Sequence, residues 1–181
     1  MQAISQASTE PGIGRWREGD RVLGDFLYRS IVMGVVATAL LDLWALLLLR
    51  VFGFALPNWA MVGRWFGHLP AGRFHHDDIG QSPAVSQELH LGWLAHYLVG
   101  ILFAAVTLLI GGPAWARAPG LLLPLVVGLV TVGCGWFILQ PGMGAGIAAS
   151  KKPERNRIRL LNILGHIVFG FGLYGAALLI R

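Results

Sequence analysis

Four stretches of the chain, 31–49, 91–110, 121–139 and 161–180, are almost uninterrupted apolar sequence. Each is close to the roughly 20 residues that an α-helix needs to cross about 30 Å of hydrocarbon. The first carries a single charge, Asp42, and the third carries none. The second and fourth each hold one histidine, His96 and His166. With their flanks, the predicted spans are about 29–51, 89–111, 120–140 and 158–180. They make one four-helix transmembrane domain over 29–181 behind a polar N-terminal tail, 1–28. The fold class is therefore all-α: a polytopic membrane protein built as a four-helix bundle.

The loop between the first two spans, about 50–88, is too long to be a plain connection. In its first part Val62, Trp65, Phe66 and Leu69 fall on one helical face, while Arg64 and His68 fall elsewhere. This predicts an interfacial helix with tryptophans at headgroup depth. The second part, 72–83, is polar and turn-rich, and the loop as a whole is expected to cap the bundle.

Composition agrees. Hydrophobic residues make up 55% of the 181 and charged residues 13%, against about 25% charged in a soluble domain. Disorder is excluded, and so is a disulfide scaffold, because Cys134 is the only cysteine. The basic excess, +5, is concentrated beside the spans, so it points to anionic lipid headgroups and away from nucleic acid. The tail mixes Arg15, Arg17 and Arg21 with Glu18, Asp20 and Asp25 and has no apolar core, which reads as no cleavable signal peptide. The cluster from Lys151 to Arg159 favours a cytoplasmic loop after the third span, and the arginines of the tail pull the other way.

The second and fourth spans repeat each other at an offset of 70. His96-Tyr-Leu-Val-Gly100 aligns with His166-Ile-Val-Phe-Gly170, and both spans finish in Leu-Leu-Ile. That suggests a duplicated hairpin. Depth then yields a candidate site. Counted at 1.5 Å per residue from the loop side, Asp42, His96 and His166 each lie about 12 Å below the end of their span. Three stripes carry them inward: Gly34, Thr38 and Asp42; Gly92, His96 and Gly100; Asn162, His166, Gly170 and Tyr174. Ionisable groups at such depth are costly against lipid and should face the bundle interior.

Two histidines and a carboxylate from three helices match the ligand types of a divalent transition metal site for Fe, Zn, Cu or Mn. Glu88 would be a further ligand or acid, and His75, His76, His90 and Gln140 accessory groups. The same trio also fits a polar clamp in a non-catalytic subunit, a proton or solute pathway, or haem b between the two histidines. A pathway built on four spans implies a homo-oligomer, and a clamp leaves the bundle surface for other membrane subunits. Among lesser signals, 75–78 (His-His-Asp-Asp) resembles a metal-collecting loop. The glycine run 142–146 lacks the Gly-Lys-Ser/Thr of a phosphate loop. Cys134 reads as a packing residue.

Several local patterns together carry a family resemblance. They are Ala37-Thr38 followed by Asp42-Leu-Trp44, Gly63-Arg-Trp65, Gly92-Trp-Leu-Ala-His-Tyr97, the stretch from Gln140 to Ser150, and the stretch from His166 to Tyr174. From about Tyr28 onward the chain resembles the bacterial membrane proteins catalogued as domain of unknown function 2938. The resemblance implies a small multi-pass protein of the bacterial inner membrane and implies no activity.

Overall fold

The computed structural model describes residues 11–181, with side chains from residue 19. All regular structure among them is helical. Helix α1 runs Pro11–Phe52, so the described part of the polar tail continues directly into the first span. Then come α2 (Trp59–His68), α3 (Glu88–Arg117), α4 (Leu122–Gly142) and α5 (Arg155–Leu179). Four of them, α1, α3, α4 and α5, are long and apolar enough to cross a membrane. The second predicted span stops where α3 breaks: Gly112 leaves helical geometry (φ 66°, ψ −176°) just before Pro113. Within α4 the turn Gly135–Leu139 is π-helical, which the apolar pattern of the third span does not reveal.

Helix α1 packs against both α3 and α5, and α5 packs in turn against α4. Small residues set the distances. A Cβ on Gly100 of α3 would overlap the Thr38 hydroxyl of α1, and one on Gly34 would overlap the α3 backbone at Ile101. On Gly170 of α5 it would lie 2.9 Å from the Pro124 carbonyl of α4. Gly100 and Gly170 are the matched glycines of the 70-residue repeat, and each seats its helix on the span that precedes it. Where polar glue is weak, close backbone approach of this kind is the main source of helix association in lipid. The tightest core gathers at the tail side of the bundle, around Met33, Ala104, Leu108, Phe169 and Leu173. There Arg29 donates to the terminal carbonyls of both α3 (Ala116, 3.4 Å) and α5 (Ile180, 2.8 Å), and Asp25 holds it at 2.7 Å.

At the other end α2 lies across the bundle. Asn58 accepts from the Met61 N–H to start it, and Gly63 and Gly92 let it meet α3 backbone to backbone. Its apolar face is turned onto the bundle: Val62, Trp65, Phe66 and Leu69 all line an internal cavity. The glycine run after α4 has a docking role. His76 N–H donates to the Gly142 carbonyl at 2.9 Å and Ile79 N–H to that of Met143 at 3.2 Å. A Cβ on Gly144 (φ +87°) would strike the Asp77 carbonyl.

A Gly92→Ala substitution drives a methyl into the Trp59 carbonyl, and should destabilise the fold by about 1–3 kcal/mol. Gly175→Ala, whose Cβ meets nothing within 4 Å, should leave stability nearly unchanged. Thermal unfolding of both variants in the same detergent checks the contrast.

Candidate functional site

Beneath α2 the bundle encloses a cavity of about 550 Å³, walled by α1, α3, α4 and α5. Asp42, His96 and His166 all line it, and so does Gln140. Its wall is mainly apolar and aromatic, and Asp42 is the one Asp, Glu, Lys or Arg among the lining residues. The lining residues that also reach the surface are Ala55, Pro57, Cys134 and Ile138, so the mouth is apolar. Cys134, read from sequence as a packing residue, is exposed at that mouth.

Two of the three deep ionisable groups meet directly. His96 Nε2 lies 3.1 Å from Asp42 Oδ1, and the Tyr97 hydroxyl donates to Asp42 Oδ2 at 3.0 Å. Both donors come from α3, so one carboxylate on α1 ties the two helices through both of its oxygens. About a fifth of the Asp42 side chain remains exposed. A carboxylate only accepts, so His96 carries its proton at Nε2, and Nδ1 has no partner among the described residues. The ring lies against Trp59 of α2, centroids 3.9 Å apart.

His166 is held differently. Its Nδ1 is 3.0 Å from the Gly128 carbonyl and 3.2 Å from Thr131 Oγ1, both on α4. The Thr131 hydroxyl itself donates to Gly128 at 2.8 Å. The carbonyl takes a proton from Nδ1, which leaves Nε2 without a protein partner. Each histidine of the repeat thus bonds the span before its own: His96 a carboxylate, His166 a backbone carbonyl.

Three side-chain atoms among the described residues are buried without any hydrogen-bond partner: Thr38 Oγ1, Trp44 Nε1 and Gln140 Oε1. All three belong to residues of this cavity wall. The assignment at Gln140 is chemically fixed. Trp136 Nε1 can only donate, and it faces Asn162 Oδ1 at 3.0 Å. The Gln140 atom 2.9 Å from that same oxygen must then be the amide nitrogen, which leaves Oε1 as the unpaired atom. Buried polar atoms in proteins are nearly always paired, so three orphans on one wall are a signal.

The remaining candidates lie outside the cavity. Glu88, expected as a ligand or acid, is taken by Arg64: Nε to Oε2 at 2.8 Å and Nη2 to Oε1 at 2.9 Å. This two-pronged contact raises the Arg64 pKa above its ordinary value. The third prong of the guanidinium, Nη1, collects the carbonyls of Ile79, Gly80 and Ser82, all within 3.2 Å. Glu88 is therefore an anchor for the cap. His75 and His90 are exposed. His76 is buried, with Nε2 2.8 Å from His68 Nδ1 and Nδ1 3.1 Å from the Gly142 carbonyl. The pair stitches α2 to the cap loop and to the end of α4. Among the described residues, no three His, Cys, Asp or Glu side chains lie close enough together to hold a metal ion. The expected convergence of Asp42, His96 and His166 on one ion is thus replaced by an Asp42–His96–Tyr97 network, with His166 bonded to α4. Tyr97 and Trp44 are the residues of this site that the stripe argument passes over.

The family model described as protein of unknown function (DUF2938) matches residues 31–180. No curated protein and no solved structure matches the chain.

Because the Arg64 fork serves Glu88 and three carbonyls at once, Arg64→Lys should fail to replace it. The expected outcome is a lower unfolding midpoint and faster proteolysis within 72–83, with the transmembrane helices still formed by circular dichroism.

Proposed function

The chain belongs to the DUF2938 family, whose function is unknown, and from its geometry we propose an integral membrane protein that binds a small amphipathic molecule inside the bundle. One observation carries this reading: every buried side-chain atom lacking a partner among the described residues belongs to a residue that lines the same cavity. The size is that of a ligand site, which usually spans about 300–1,000 Å³ with mostly apolar walls and a few convergent polar groups. The apolar mouth fits entry from the hydrocarbon. In this reading Asp42, His96 and Tyr97 form the polar anchor, and His166 and Gln140 face it from α5 and α4. This is the solute-pathway interpretation of the deep polar layer; uptake from the bilayer is its first step, and onward passage would call for an oligomer.

A second reading rests on the histidine tautomers. Each ring donates one N–H, to a carboxylate or a backbone carbonyl, and keeps a bare nitrogen, which is how metal-ligating histidines are commonly supported. A two-histidine metal or haem site would use those nitrogens, with Asp42 behind His96 as its orienting partner.

The test is uptake of a neutral apolar fluorophore, Nile red, by protein in lipid nanodiscs, read as energy transfer from the tryptophans. Saturable transfer is expected in the wild type. Cys134→Trp, which obstructs the mouth from an exposed position, should weaken it, and so should Ala45→Phe inside. Non-saturable transfer, equal in all three proteins, would overturn the reading. Elemental analysis and an absorption spectrum of the same sample decide the second: bound metal or a Soret band that disappears in His96→Ala/His166→Ala would establish it.

A further inference from the structure

The wall of the cavity is strongly biased in its hydrogen-bonding character. Its unpaired acceptors are Gln140 Oε1, His96 Nδ1 and His166 Nε2, the last two following from the protons that Asp42 and Gly128 require at the opposite ring nitrogens. The Thr38 hydroxyl can act either way, and the one unpaired obligate donor is Trp44 Nε1. An occupant that satisfies this wall must mainly donate hydrogen bonds.

The charge balance is equally one-sided. No lysine or arginine lines the cavity, and Asp42 does. Asp42 is the wall's one carboxylate, held by two hydrogen bonds and still about one-fifth exposed. The aromatic residues Trp44, Trp59, Phe103 and Phe169 also line the cavity, and aromatic rings favour a cation over an anion.

Building on the cavity reading, we propose that the ligand is a lipophilic ammonium ion bearing N–H donors. Its charged head meets Asp42 from the side that His96 and Tyr97 leave open, and its remaining N–H groups face the bare histidine nitrogens. Its hydrocarbon part lies along Val99, Ile138 and Phe169 toward the mouth. A fatty acid would place its carboxylate against Asp42, and a quaternary ammonium would leave the acceptors unpaired.

Four probes with one chain length separate these chemistries: decylammonium, decyltrimethylammonium, decanol and decanoate, titrated into wild-type protein in nanodiscs of uncharged lipid. Displacement of Nile red is the readout. Decylammonium should displace most strongly, with the quaternary ion and decanol each weaker by roughly tenfold or more, the worth of one charged hydrogen bond. Decanoate should be weakest. Asp42→Asn should bring decylammonium down to the level of decanol, each displacement being referred to the Nile red affinity of the same variant. Decanol or decanoate equal to decylammonium would overturn the ammonium assignment and leave the cavity reading standing. Failure of Nile red itself to bind saturably would remove both. The wild-type ranking needs no variant, so a misfolded Asp42→Asn would leave the assignment just as testable.

Discussion

A carboxylate placed inside hydrocarbon must be satisfied by the protein around it, because neither lipid nor bulk water will do so. Asp42 is that carboxylate, and its two oxygens are answered by adjacent residues of α3, His96 and Tyr97. The consequences spread outward. Both donors can reach α1 only if the two helices nearly touch, hence Gly34 and Gly100 at the crossing. His96 can keep its ring turned toward Asp42 because Trp59 lies flat against it, and Trp59 is brought there by the Gly63–Gly92 contact between α2 and α3. The position of the cap thus follows in part from the needs of one buried anion.

The repeat between α3 and α5 shows how one scaffold yields two chemistries. Matched glycines seat each helix on its predecessor, and matched histidines reach for that predecessor's polar groups. What differs is what they find: a carboxylate at one place, and a backbone carbonyl shared with the Thr131 hydroxyl at the other. The first half therefore supplies the charge, and the second supplies a neutral nitrogen.

Much of this was readable from residues alone. Unbroken apolar length marks the spans, since lipid admits no other economy of backbone hydrogen bonds than helices or closed barrels. Depth counting brings Asp42, His96 and His166 to one wall because the rise of a helix is fixed. The method fails where contact depends on a neighbour that helical spacing does not show. Tyr97 is one residue past His96, off its stripe, yet side chains that converge on one carboxylate need not share a stripe. Arg64 and His68 fall off the apolar face, and their partners, the carbonyls of 79, 80 and 82 for Arg64 and the His76 ring for His68, leave no mark in helical spacing. Glu88 sits above the polar layer as counted, but its partner comes from α2, and spacing says nothing about pairing across a loop. The cavity is the least legible feature, being a space left by packing, and the π turn that shapes one side of it has no signature in an apolar run.

Arg29 gives the bundle a further property. By holding the last carbonyls of α3 and α5 together on α1, it rivets one end of the helices, as the pin of a fan holds its blades. The polar cavity lies toward the other end, where Asp42 joins α1 to α3, His166 joins α5 to α4 and the cap closes over them. The bundle is therefore tied at both levels by side chains that reach from one helix to the next. The clearance of the chamber is set by a strap of backbone and imidazole, from His68 through His76 to Gly142, which spans the free edge.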